Sequence, residues 1–305
     1  EGLGRLEKLE DATVKIDGDF LSSKYSARRC ADGFEFFYTL MEKFYSDIYE
    51  WAKKPVAEGG LGVKCPITGG TNYAGDDRAD LFLNAHYDYV ARHTYQSHPT
   101  TGTEYQVGTA VPNGGSTLGD VGGNTFANAS FRKVMGLPYI VTESLVAEPN
   151  IHSAEFNLIA SAIYSYQGWS LTAFTYMNKD LDNRTNQITN SFIIMDHPGR
   201  FSTITSASLL YQRAEIAKAE VGYYRVITVD DAMDYKSQLM GLQEGTYVVG
   251  KTGVYFADKE GKLLFQSGEY DISSVKSDVE ILEKILHSQL INEGGEMIWN
   301  KSAQT

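Results

Sequence analysis

Glu143 closes a short apolar run, Leu137-Pro138-Tyr139-Ile140-Val141-Thr142-Glu143-Ser144, with no cation beside it in sequence. A run of Tyr, Ile, Val and Thr reads as a buried parallel strand. A carboxylate at its end is costly unless it has a task or a partner, so chemistry at Glu143 competes with an ion pair or a helix cap. Upstream, His93-Thr94-Tyr95-Gln96-Ser97-His98 sets two imidazoles around a phenol. Such groups can donate to a carboxylate or to a ligand hydroxyl. A metal site also fits the spacing, but no carboxylate lies close by in sequence, and His98 fits a surface loop equally well. Trp169 could stack on a ligand or fill a core beside Gly168. Asn72 and Tyr73 suit a cleft or a strand-end turn. Glu148, just before Pro149, reads as a solvated loop charge. Asp76-Asp77 and Asp230-Asp231 read as helix N-termini, where carboxylates complement the dipole.

These groups must be positioned by alternating elements. Residues 31–54 read as a helix, with Phe37, Leu40, Met41, Phe44, Ile48 and Trp51 at three-and-four spacing. A strand over 63–72, a helix from Asp76 to Asn84 and a strand over 87–95 follow. Residues 96–128 form a long loop rich in Gly, Ser, Thr and Asn, and a loop of that length is usually functional or mobile. A short helix from Ala129 to Met135, the Glu143 strand, a helix from Ser153 to Tyr166, a strand over 168–176 and a helix from Phe201 to Ala219 complete the rhythm. Strand–helix alternation predicts an α/β fold with a parallel sheet, either a barrel or an open doubly wound sheet. No Gly-x-Gly-x-x-Gly or Walker-type loop follows a strand, which disfavours nucleotide binding. The tail differs. Residues 246–250 and 253–257 look like strands, 262–266 pairs back across an Asp258-Lys259-Glu260-Gly261 turn, 277–290 is helical, and another strand starts at Glu296.

Composition narrows the choice further. The 305 residues are 42% hydrophobic, enough for one barrel-sized domain or one domain plus a smaller one. A net charge of −12 argues against nucleic acid and anionic membrane as partners. Cys30 and Cys65 form no disulfide framework, no zinc-spaced cluster appears, and no apolar stretch is long enough to span a bilayer.

Taken together, the strand ends carry Asn72 and Tyr73, then His93 and Tyr95, then Glu143, then Trp169 and Tyr176. Over roughly residues 60–215 this pattern resembles the second half of a clan A glycoside hydrolase barrel. The most specific piece is Pro138-Tyr139-Ile140-Val141-Thr142-Glu143. The resemblance implies that Glu143 is the nucleophile at the seventh strand, with His93 or Tyr95 donating to it. It also implies that Trp169 lies under the sugar and that Asn72 and Tyr176 line the cleft. The clan's acid/base is a Glu after an Asn at the end of the fourth strand. Glu1 stands at the right order, without that Asn, and strands one to four would lie upstream. The fold expected is a (β/α) barrel over 1–235, or only its later strands, followed by a small β-rich region over 236–305. The activity implied is retaining hydrolysis of a β-linked poly- or oligosaccharide, which needs two carboxyl groups about 5–5.5 Å apart. No cofactor is expected, and secretion or a periplasmic location follows by analogy. Two alternatives stand beside it: a non-catalytic carbohydrate-binding barrel or incomplete fragment, and a metal-dependent barrel hydrolase using His93 and His98.

Overall fold

The structure, a computed structural model, describes residues 4–8, 10–14, 24–72, 78–97, 115–119, 124–171, 191–194, 197–220, 222–236, 245–265, 289–291 and 297–300. Helix α1 spans Ala27–Lys53, with the Ser26 side chain capping it by accepting from the Arg29 N–H. It is the long amphipathic helix expected from its periodicity, begun four residues earlier. Its contacts with the body include several tyrosines and the ion pair of Lys53 with Asp88 at 2.7 Å. Tyr38 packs on the main core, Tyr45 and Tyr49 meet Tyr87 edge-on, and Tyr49 donates to Asp88 at 2.9 Å.

Then follow β1 (Thr71–Asn72), α2 (Arg78–Asn84), β2 (Val90–Gln96), α3 (Thr125–Ser130), β3 (Tyr139–Val146), α4 (Ser153–Gln167), β4 (Ser170–Leu171) and α5 (Pro198–Gln212). The four strands make one all-parallel sheet in the order β1-β2-β3-β4. Among the described residues this sheet is open. Each strand lies beside its predecessor, as right-handed βα crossovers in one direction produce. The segment at 129–135 departs from expectation. Asn124 caps α3 by accepting from the Phe126 and Ala127 N–H groups, so the helix starts and ends earlier. Helix α4 stops at Gly168, whose φ of +65° is the left-handed conformation that ends a helix at little cost. The chain then turns Trp169 inward.

A second parallel pair joins β5 (Gly222–Thr228) to β6 (Lys251–Ala257) in full register, across the 235/236 position. Between them lie α6 (Val229–Met233) and α7 (Thr246–Val249). Asp230 and Asp231 do occupy the first turn of α6, and Asp231 closes a capping box with Thr228. Residues 246–250, expected as a strand, are corrected to a single helical turn entered from Gly245 at φ +68°. Past β6 the chain does fold back: Ala257 bridges Leu263, and the Leu264 N–H donates to the Phe256 carbonyl. Most of the helix expected over 277–290 lies outside the described residues. Its end is strand β7 (Gln289–Ile291), antiparallel to β8 (Ile298–Asn300).

One hydrophobic core runs through both parallel sheets, from Leu81, Val90 and Phe126 to Tyr247, Val254 and Phe256. The two sheets touch where Val134 bridges Val254. A side chain at position 253 would strike the Lys133 carbonyl at 2.9 Å, so Gly253 permits this approach. Buried Gln167 joins α4 to α7 and β6. Its amide donates to the Tyr247 and Gly250 carbonyls at 2.7 Å, and its carbonyl accepts from the Thr252 N–H and hydroxyl. Cys30 is buried, Cys65 is exposed and neither is in a disulfide.

Candidate active site

Strand alternation separates two faces on β2 and β3. Thr94 and Ser144 turn toward α4. The Thr94 hydroxyl donates to the Ser144 hydroxyl at 3.0 Å, and both lie within 2.6 Å of the Tyr164 hydroxyl on α4. This buried triangle locks the strand pair to its helix. Burial pushes the Tyr164 phenol above its ordinary pKa, so it stays neutral. Arg92, also buried, is held by Asp80 of α2 at 2.9 Å.

His93, Tyr95 and Glu143 emerge on the opposite face. The register explains how they meet. Arg92 pairs with Val141 but His93 pairs with Glu143, so Thr142 is an extra residue in β3. This bulge re-aims the carboxylate along the sheet, as bulges near functional sites often do. The Tyr95 hydroxyl donates to Glu143 Oε2, and His93 Nδ1 lies 3.2 Å from the same oxygen. The His93 and Glu143 side chains retain 17% and 29% exposure, so the group opens to solvent while partly enclosed. Burial lowers the His93 pKa below 6.5; the Glu143 carboxylate opposes that shift and the Arg92 guanidinium adds to it. The imidazole is therefore neutral near pH 7. Phe192 closes one side, edge-on to Tyr95 at 5.6 Å.

Beyond β3 the chain is pinned rather than loose. Glu148, expected to be a solvated loop charge, is corrected: its side chain is 1% exposed and faces the equally buried Arg200 at 3.5 Å. Its Oε2 accepts from the Asn150 N–H at 2.9 Å, and its own N–H donates to the Ser191 carbonyl. Asn150 reaches back to the Ser97 hydroxyl and the Gly115 carbonyl. Glu155, in the first turn of α4, accepts from Ser116 and twice from Thr117 through one oxygen. Residues 115–119 are thereby tied to the loop after β3 and to the start of α4.

Of the residues singled out in the sequence, the structure brings His93, Tyr95 and Glu143 together. Asn72 sits on β1 paired with Arg92. Glu1, Tyr73, His98 and Tyr176 lie outside the described residues. Trp169 is corrected from sugar platform to core. It is 1% exposed, packed against Tyr139 and Tyr164, with no ring face open to a ligand. Sequence reasoning missed the hydroxyl triangle, the Thr142 bulge and Phe192. Only Thr94 and Ser144, polar residues within apolar strands, hinted at the first. Among the described residues, no group of three or more His, Cys, Asp or Glu side chains is placed to hold a metal ion. None of their helices is long and apolar enough to cross a membrane. Comparison with known protein families, curated proteins and solved structures finds no match to this chain.

Proposed function

We propose that this chain carries the nucleophile half of a retaining glycosidase site acting on β-linked sugars, built on the later strands of a (β/α) barrel. The hydrogen bond from Tyr95 to Glu143 is the observation that carries this reading. The phenol donates to this strand-end carboxylate and fixes its direction, and among the described residues no Lys or Arg forms an ion pair with it. The sequential parallel order of β1 to β4 is the order that a barrel uses, and it adds support.

In this reading the Glu143 carboxylate attacks the anomeric carbon and the glycosidic C–O bond breaks. A second carboxyl group protonates the leaving oxygen, and water then hydrolyses the glycosyl ester. Glu1 is assigned that second role by chain order alone. Tyr95 orients the nucleophile through Oε2. Neutral His93 is placed to hydrogen-bond a sugar hydroxyl beside it.

Dinitrophenyl 2-deoxy-2-fluoro β-glycosides across several sugar configurations test the assignment. Their leaving group departs without acid catalysis, so the assay needs only the nucleophile. The expected result is a single covalent sugar adduct on the peptide containing Glu143, absent in Glu143→Gln and formed about ten- to a hundredfold more slowly in Tyr95→Phe. Absence of an adduct with every configuration, or labelling at another residue, would overturn the proposal.

A further inference from the structure

Among the described residues, helix α1 leaves an apolar face uncovered, and we infer that a second copy of this chain packs on it, antiparallel, as a two-fold dimer centred on Phe44. Phe36, Leu40, Met41, Phe44, Ile48 and Trp51 are 43–59% exposed. At about 100° per residue they fall on one continuous stripe. That stripe borders the tyrosine face that anchors the helix to the body. Six large side chains, each half exposed, offer roughly 500–600 Å² per copy, taking about 150–250 Å² for a whole aromatic. Two copies would bury about 1,000–1,200 Å², the lower bound of a specific interface. On a monomer the about 500–600 Å² of one copy would sit at the upper end of the roughly 300–600 Å² that the largest apolar patch of a monomer covers, and such patches are often functional.

The charges flanking the stripe select the antiparallel arrangement. Asp32, Lys43, Asp47 and Glu50 line its outer edge, Lys54 is the C-cap just past its end, and Lys43 already meets Asp47 of its own helix at 2.7 Å. A two-fold axis at Phe44 sets residues whose numbers sum to about 88 opposite each other. Lys43 then faces Asp47 of the partner subunit, and Asp32 faces the partner subunit's Lys54. The Lys43–Asp47 contact, made twice by the symmetry, is attractive despite a chain charge of −12. Phe44 meets its own copy at the axis, and Leu40 meets the partner's Ile48. Antiparallel helices also oppose their dipoles.

Sedimentation equilibrium of the full chain over a wide concentration range tests this inference independently of any activity. The expected mass is twice 33.8 kDa. Phe44→Glu should weaken association more than about tenfold while leaving the circular dichroism unchanged. Asp47→Lys should weaken it less, and Lys43→Asp combined with Asp47→Lys should restore it. A monomer at all concentrations, a dimer indifferent to Phe44→Glu, or a double charge swap that fails to restore association would each overturn the inference. So would a co-purifying polypeptide of another sequence seated on the stripe.

Discussion

Glu143 Oε2 is shared between a phenol that donates and an imidazole that titrates. The second of these gives the site a pH signature. His93 is held below its unfolded value of 6.5, chiefly by burial. The unfolded chain therefore binds this proton more tightly than the folded one. The stabilising contribution is full above the unfolded pKa and is lost as pH falls from there through the lowered folded value. Urea midpoints measured from about pH 7.5 down to about pH 5 should fall more steeply in the wild type than in His93→Gln. Parallel slopes would show that the imidazole titrates as it does in the unfolded chain. At this scale the sequence was informative about residue types: His93, Tyr95 and Glu143 were each visible as polar groups ending apolar strands. Their meeting depends on the extra residue Thr142, and no local pattern announces a one-residue bulge, because its cause lies in the pairing with β2.

Among the elements, those with a full amphipathic period were legible, and those defined by distant partners were not. Helices α1 and α4 follow from their spacing. Thr246-Tyr247-Val248-Val249 has the β-branched composition of a strand, yet it is a helical turn. Its Tyr247 hydroxyl accepts from Asn124, and its Tyr247 carbonyl is claimed by Gln167. Tertiary bonds overrode propensity there. Strand β5 escaped notice because its partner, β6, lies beyond two intervening helices. Gln167 gives the sharpest test of this connection. Replacing it by Leu strands two buried carbonyls and the Thr252 N–H, and should cost roughly 3 kcal/mol or more in unfolding free energy. A loss under about 1 kcal/mol would mean that water or a shifted backbone satisfies those groups.

For the whole molecule, a core shared by both parallel sheets predicts one cooperative transition, with fluorescence and far-ultraviolet dichroism reporting the same midpoint. Chain 1–235 on its own should lose that cooperativity, since β5 would lack β6 and the core would lack Val254 and Phe256. A truncated chain with native near-ultraviolet dichroism would show instead that the first sheet folds unaided. The seam between the sheets has a mechanical meaning as well. Val254 donates to the Lys133 carbonyl and accepts from the Met135 N–H, and the Glu143 strand begins at Tyr139. Tension applied to the second sheet would be shared between the Gln167 bonds and these two, and the latter hand their part to the root of β3. The buried β6 thus acts as an anchor bolt for the strand that aims the carboxylate.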